Sequence, residues 1–294
     1  MPALDNQITA ADLAFAQDVE FANSFDHDMS RLVELLSIGS PEVLHAGTAL
    51  YQYEVKGTLG DGQTAEGDEV PLSKYKETKT PIGELETKAY RKLTTVQAIQ
   101  KHGYEHAVNK TDRRMIQDVR KGIVSEFFAL LNNGTGTASG KDFKGTLIQA
   151  DAVLKDTLEK NGDTSESLVF FANYLDYADW AATNQVNNDG VGGVFGLTYM
   201  LNLAGIVGTT LFSASVPKGS VYVTPAENLH VYTPDFAEIE KGGLTYVTGD
   251  LGTIGVAHEP AYNRVSCITN VLRGVTIIPE AKNYIVKATV VPTA

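Results

Sequence analysis

Two strand-like segments near the N-terminus constrain the fold of this chain more than any other feature. Residues 47–58 (GTALYQYEVKGT) alternate in polarity and carry β-branched and aromatic side chains, which is typical of a β-strand. A polar, glycine-rich stretch follows at 60–68, and a second alternating segment then carries Val70, Leu72 and Tyr75. The pattern predicts a long β-hairpin with few apolar residues on either face. Because a two-stranded hairpin that buries no face is only marginally stable alone, we expect a neighbouring subunit to stabilise it.

The first 45 residues are strongly acidic and have helical spacing. They hold eight acids and a single base, Arg31, and the helical pattern from Thr9 ends at Gly39–Pro41. A segment this acidic has little core of its own, so we expect an arm that packs against something else. Four of its carboxylates are candidates for contacts between subunits: Asp12, Asp18, Asp26 and Asp28.

The central segment is basic and contains the longest predicted helix. Residues 85–132 hold nine bases and five acids. Apolar residues recur at three- and four-residue steps over about 111–132, where Thr111 is the expected N-cap, and this length spans roughly 30 Å. The bases expected to make inter-subunit contacts are Arg113, Arg114, Arg120 and Lys121. Arm and central segment have opposite charge, and they could pair within one chain or between neighbours.

The rest of the chain mixes helices and short strands. The pattern predicts a helix at 145–162, a buried strand at 168–171 and a short helix at 174–182. Short β segments follow at 209–214, 220–224, 230–232, 244–247, 265–272 and 284–291. Because βαβ units do not alternate regularly, the pattern indicates an α+β fold.

Composition excludes several classes of protein. A net charge of −12 and a pI near 4.9 argue against a chain that grips nucleic acid tightly. The single cysteine, Cys267, rules out a disulfide framework and a multi-thiolate metal site, and its apolar β-type surroundings predict a small core residue. The N-terminus lacks the basic start of a secretory signal, and no run approaches the about 18 apolar residues of a membrane helix.

Three segments invite a chemical interpretation, and each fails on spacing. Gly134–Lys141 resembles a phosphate-binding loop but has one residue too few, so we expect a flexible connector. Gly190–Gly196 follows no clear strand and is interpreted as a surface loop able to contact its own copies. His102 and His106 lie four apart, but Gly103 interrupts the helix that would align them on a metal. We therefore expect no catalytic residue, no cofactor and no metal site.

The order of these segments resembles that of a known family. Three stretches carry the resemblance: AVNKTD at 107–112, TTLFSASVPKGSVYVTPAENL at 209–229 and GVTIIPE at 274–280. They are similar to stretches of the major capsid proteins of tailed bacteriophages and prophages (Caudoviricetes), particularly those of Gram-positive hosts. The resemblance covers essentially the whole chain and implies the Hong Kong 97-type capsid fold.

The resemblance implies a division of the chain and a set of contact residues. It implies an N-terminal arm at 1–45, an E-loop hairpin at 46–84, a P domain at 85–145, an A domain at 146–240 and a C-terminal β-rich part at 241–294 that returns to the P domain. In this family the E-loop lies across the adjacent subunit. The E-loop residues expected at that contact are Lys56, Gly60, Asp61, Gly62, Lys74, Lys76 and Lys79.

The resemblance also implies a function and partners. The expected role is a shell subunit that forms hexamers and pentamers around packaged double-stranded DNA, which it touches only non-specifically, with no membrane contact. A start at Met1 close to the arm suggests a separate scaffolding protein; portal and head-completion proteins are further expected partners. The expected location is the virion, with the host cytoplasm during assembly. The alternatives are an encapsulin nanocompartment shell and a soluble metal-dependent hydrolase using His102 and His106.

Overall fold

A computed structural model describes residues 10–36, 38–39, 41–45, 47–62, 69–165, 167–186 and 189–291. Helices and strands are numbered in chain order. The helices are α1 (Ala10–Leu35), α2 (Val96–His102), α3 (Lys110–Leu131), α4 (Phe143–Asn161), α5 (Tyr174–Ala181) and α6 (Phe236–Lys241). A π-helical turn, Glu105–Asn109, leads into α3, and short 3-10 turns lie at Leu203–Gly205, Ala226–Asn228 and Lys282–Tyr284.

The strands form four sheets within these ranges. The strands are β1 (Glu42–Leu44), β2 (Ala49–Thr58), β3 (Lys74–Glu84), β4 (Lys88–Thr95), β5 (Gly136–Gly140), β6 (Leu168–Ala172), β7 (Gly190–Val194), β8 (Leu197–Leu201), β9 (Thr209–Phe212), β10 (Ser220–Pro225), β11 (Leu229–Pro234), β12 (Val247–Thr248), β13 (Ile254–Ala261), β14 (Ser266–Arg273), β15 (Thr276–Pro279) and β16 (Val286–Val290). No helix in the described ranges is long and apolar enough to cross a membrane.

The largest sheet has seven strands in the order β5-β16-β10-β6-β9-β8-β7 and is covered on both faces. Its strand β6 is buried throughout, which explains why its sequence, LVFFA, shows no alternation. Phe170 packs with Leu147 and Leu154 of α4, while the next residue, Phe171, packs edge-on against Phe127 and Phe128 of α3. The predicted buried strand is confirmed.

A second sheet, ordered β12-β13-β14-β4, is antiparallel and lies against α3 and α1. Apolar residues of α3 such as Ile116, Val119 and Ile123 share one core with Val256 and Val271 of this sheet. The helix predicted over about 111–132 is confirmed, with each end displaced by one residue. Thr111 is not its N-cap, because the helix continues directly from the π-helical turn and the Thr111 hydroxyl donates to the carbonyls of Ala107 and Val108.

The arm helix α1 has more core of its own than its charge suggests. Its second half buries an apolar stripe with three- and four-residue spacing, and it packs on β12 and β13 of the same chain. The stripe consists of Ala22, Phe25, Met29, Leu32, Val33 and Leu36. The expectation of an arm with little core is therefore wrong for this half of the helix.

Two predicted loops are strands. Residues 136–140 form β5, which pairs in parallel with β16 about 150 positions later in the sequence, and residues 190–194 form β7, which pairs with β8. A β-carbon at Gly140 would collide with the backbone of Gly145 and Thr146 at the start of α4. The glycines that suggested a connector thus permit close backbone approach.

We predict that Gly140→Ala lowers the free energy of unfolding of the soluble subunit by about 1–3 kcal/mol, because α4 and β5 must move apart. Gly83→Ala is the matched control, since a β-carbon there meets no atom within 4 Å. It should change stability by no more than about 0.5 kcal/mol. Urea denaturation measures both, and equal effects of the two substitutions would show that the close approach at Gly140 is unimportant.

Candidate assembly surfaces

The hairpin formed by β2 and β3 projects from the body of the subunit. Its strands pair antiparallel from Ala49–Glu84 to Thr58–Lys74, and among the described strands each pairs only with the other. At about 3.3 Å per residue the paired region is roughly 33 Å long. Every residue of β3 is exposed except Ile82, which is half-buried. The predicted hairpin is confirmed, although its second strand begins later and runs further than the sequence indicated.

The root of the hairpin is fixed to the body. Leu50 and Leu85 are buried, and the backbone of Leu85 accepts from Gly47 and donates to Thr48. A pocket of about 210 Å³ beside the root is lined by Tyr51, Ile82, His230, Tyr232 and Ile278 together with Glu42, Leu50 and Glu280. The hairpin therefore starts from a packed base, and further along it Val55 and Lys56 border a pocket with Leu158 and Tyr284 of the body.

Most of the described side chains of the hairpin stem remain exposed. Directly opposed residues share a face, so the register places Lys56 opposite Lys76 on one face, an arrangement of like charges that destabilises a strand pair. On the other face the ring of Tyr75 lies over Gly57, where a β-carbon would clash with it, and Lys79 Nζ lies 3.7 Å from the centre of the Tyr51 ring. Val55 and Tyr75 nevertheless remain 64% and 60% exposed.

The tip of the hairpin exposes aliphatic side chains. Leu59 and Leu72 are 77% and 92% exposed. The N–H of Gly60 donates to the Ser73 hydroxyl over 3.0 Å and closes the end of the ladder, while Asp61 and Gly62 are exposed beyond it. Exposed aliphatic residues grouped on one projection usually mark a surface that another protein covers.

The start of α3 is anchored to the sheet by a buried ionic cluster, which we call the first anchor. Asp112 of α3 contacts Lys92 of β4, and its second carboxylate oxygen lies 3.0 Å from Nε2 of His258 on β13. The side chains of Asp112 and His258 are each only 2% exposed. Burial raises the pKa of Asp112, but hydrogen bonds and charge from His258 and Lys92 outweigh it and hold this pKa below its usual value.

A second anchor holds α3 fourteen residues later. Glu126 accepts from Lys88 Nζ of β4 at 2.7 Å and from Arg273 Nη2 of β14 at 2.5 Å. Burial raises the pKa of Glu126, and the two bases lower it further than burial raises it, so the pKa lies below its usual value. The sequence pattern pointed to bases of α3, and these two carboxylates were not predicted, because their partners lie on strands distant in the sequence.

The predicted bases of α3 divide into two groups. Arg113 is exposed, and Arg114 and Lys121 are exposed while both contact Asp118 of the same helix. Arg120 instead reaches α1, where its Nη2 lies 2.6 Å from the carboxylate of Asp28. The opposite charges of arm and central segment therefore meet within one chain at this pair.

A second arm acid is also used inside the subunit. Asp26 is buried, and its carboxylate accepts from the backbone N–H groups of Leu251, Gly252 and Thr253 and from the Thr253 hydroxyl. Asp26 and Asp28 thus make internal contacts where inter-subunit contacts were expected. Asp12 and Asp18 belong to α1, but their side chains lie outside the described residues.

The candidate chemical sites remain separate. His102 ends α2, Gly103 caps it with a φ of 77°, and exposed His106 lies in the π-helical turn. Among the described residues, no group of three or more His, Cys, Asp or Glu side chains is arranged to hold a metal ion. Cys267 is half-buried on β14.

Comparison with known proteins finds solved structures whose fold is similar to that of this chain. No protein-family model and no curated protein sequence matches the chain. The capsid of the native GTA particle aligns with a TM-score of 0.56 at 12% identity, over 87% of this chain and 89% of that one. The capsid of Cyanophage P-SCSP1u aligns with a TM-score of 0.54 at 10% identity, over 88% of each chain. The SrpI encapsulin of Synechococcus elongatus PCC 7942 gives 0.53 at 13% identity, over 88% and 86%.

These likenesses establish the fold. The chain has the α+β Hong Kong 97-type capsid fold, with α3 as its long helix and the hairpin β2–β3 as its extended loop. The expectation drawn from the sequence is confirmed at this level.

We predict that stability falls in acid because of the anchors. A carboxylate whose pKa is lowered by folding stabilises the protein above its unfolded pKa, near 4 for Asp112, and this contribution is lost as pH falls through the folded pKa. Asp112→Asn should cost about 3–5 kcal/mol at pH 7, because it leaves Lys92 without its counter-charge and His258 without its carboxylate partner in a buried site. Its free energy of unfolding should also decline less steeply than that of the wild type below pH 5.

The control for this prediction is Asp118→Asn on the same helix. Asp118 forms exposed pairs with Arg114 and Lys121, so its loss should cost less than about 1 kcal/mol and leave the acid dependence unchanged. Denaturant titrations from pH 3 to pH 7 measure both variants. A parallel decline of wild type and Asp112→Asn would contradict the role given to the first anchor.

Proposed function

We propose that this chain is the major capsid (head) protein of a tailed bacteriophage, a structural subunit that self-assembles into the icosahedral shell enclosing double-stranded DNA. The observation that carries the proposal is the exposed hairpin β2–β3. Every residue of its second strand except Ile82 is exposed, and the hairpin ends in exposed Leu59 and Leu72. A subunit with such a projection gains stability when a second copy covers it.

The fold supports this proposal, because the proteins that share it over most of their length include the capsids of the native GTA particle and of Cyanophage P-SCSP1u. On this basis we propose the division expected from the sequence: an arm at 1–45, an E-loop at 46–84, a P domain at 85–145 with the part after 241, and an A domain at 146–240. We further propose inter-subunit roles for Lys56, Lys74, Lys76 and Lys79 of the hairpin.

The proposed partners are copies of the chain itself and the other components of a phage head. We propose hexamers and pentamers, a separate scaffolding protein, and portal and head-completion proteins. The net charge of −12 supports only non-specific contact with packaged DNA. The proposed location is the virion, reached after assembly in the host cytoplasm, and the proposed work of the subunit is mechanical and not catalytic.

A second candidate is a nanocompartment shell that encloses a protein cargo. The similarity to the SrpI encapsulin favours it, because that protein aligns almost as well as the capsids do. The two candidates differ in content. A phage head holds double-stranded DNA, whereas a nanocompartment holds an enzyme.

We predict that electron microscopy of the chain expressed with its neighbouring genes will show closed shells or capsomers. Nuclease-protected DNA inside the shells would identify the phage head, and a co-purifying enzyme would identify the nanocompartment. A uniform monomer at all protein concentrations would contradict both candidates.

We also predict that deletion of residues 60–68 leaves a folded subunit that assembles poorly, because the described part of this segment, residues 60–62, lies outside the buried core. Thermal unfolding should shift by no more than a few degrees, while the assembled fraction in sedimentation falls by about tenfold or more. Replacing the same nine residues with nine glycines and serines keeps the length of the tip and removes its charged side chains. Normal shells from both variants would show that the tip is not part of the assembly contact.

A further inference from the structure

The second anchor borders a pocket beside α3, which we call the anchor pocket. Its volume is about 340 Å³, and it is lined by the second half of α3 and by residues of β14, β15 and their connection. Most of its walls are apolar and consist of Ile123, Phe127, Ala129, Leu130, Val275 and Ile277. A concave apolar site of about 300 Å³ or more with a few converging polar groups is the usual form of a small-molecule site.

The charged side chains of the anchor pocket favour an anion. Lys88 and Arg273 are its two bases and Glu126 is its one acid, so the lining carries a formal charge of +1. The side chain of Lys88 is 41% exposed and can be reached from solvent. A ligand that fits this lining therefore combines a negative group with an apolar body.

Arg273 has donors that the second anchor does not use. Its side chain is 2% exposed, and its Nη2 donates to Glu126. The Nε and Nη1 atoms are buried and have no hydrogen-bond partner within the part of the chain that the structure describes. Because buried donors of a charged group are costly to leave unpaired, the guanidinium gains stability when a second acceptor reaches it.

We propose that the anchor pocket binds a small amphipathic carboxylate, with its carboxylate on Arg273 and Lys88 and its alkyl chain along the apolar walls. A turn of the guanidinium toward the pocket would present two parallel N–H groups, which is the geometry that arginine uses for carboxylates. The site does not depend on the proposed shell function. A carboxylate side chain of another copy has the same charge, but the depth of apolar lining favours a ligand with a flexible chain.

Calorimetric titration of the soluble wild-type subunit with octanoate tests the site. Acetate carries the charge without the chain, and 1-octanol carries the chain without the charge. Octanoate should bind at least about tenfold more tightly than either compound and should raise the midpoint of thermal unfolding. Equal binding of octanoate and acetate would indicate a simple anion site, and equal binding of octanoate and octanol an apolar crevice. Either result would overturn the proposal.

Substitutions locate the binding. Arg273→Gln should weaken octanoate binding by about tenfold or more, and Lys88→Gln should weaken it less, since Lys88 is partly solvated. Ala129→Trp places a large side chain at an exposed helix position that lines the pocket and should abolish binding in a folded subunit, even where Arg273→Gln fails to fold. The matched control is Ala152→Trp at an exposed position of α4, which should bind octanoate like the wild type.

The remaining outcomes separate this site from the proposed function. No octanoate binding by the wild type, or undiminished binding by Ala129→Trp, would overturn the site. Loss of assembly in Ala129→Trp, together with no octanoate binding by the wild-type subunit, would assign the pocket to a side chain of another copy and likewise overturn it. Octanoate binding by a wild-type chain that forms no shells would support the site and overturn the proposed function instead.

Discussion

The subunit depends on two ionic anchors that join one helix to one sheet. Asp112 and Glu126 of α3 each contact two basic side chains of the sheet β12-β13-β14-β4, and the apolar residues between them complete the interface. Asp112 and His258 are buried, so removing the Asp112 carboxylate is costly because it leaves polar partners in a poorly solvated site, whereas Glu126 and Lys88 of the second anchor are about two-fifths exposed. The anchors therefore fix the position of α3 along the strands, which apolar packing alone would leave less defined.

The position of the hairpin follows from these anchors. Lys88, which contacts Glu126, is the first residue of β4, and β4 follows the second hairpin strand after only three residues. Leu85, in that short connection, is fully buried. The hairpin therefore leaves the body at a defined point, while Leu59 and Leu72 at its far end are exposed. A projection with a buried root and exposed aliphatic side chains at its tip is suited to bridging between copies of a subunit.

The sequence predicted best those elements whose pattern depends on local contacts. The spacing of apolar residues gave α3 to within one residue, and the fully apolar LVFFA gave β6. It failed where distant segments decide the outcome: β5 is a strand because β16 pairs with it, and its glycines looked like a connector. Charge was similarly ambiguous, because an acidic residue such as Asp26 looks like a surface group until the turn at 251–253 supplies its donors.

The assembly surfaces show the same limit. Sequence alone identified the hairpin as a segment with no face to bury, which is the feature that the structure bears out most clearly. It did not identify the anchors, because their four bases lie on β4, β13 and β14, and only the strand register brings Lys92, Thr269 and His258 into one row opposite Asp112. Ion pairs between a helix and a sheet leave no local pattern in the sequence.

The central claim is that the hairpin is completed by another copy of the chain. Amide hydrogen exchange of residues 49–58 and 74–84, compared between soluble subunits and assembled particles, tests it directly. The account predicts fast exchange toward the tip in the soluble subunit and at least about tenfold slower exchange in the particle, with little change in α3. Equal exchange of the hairpin in both states would contradict it.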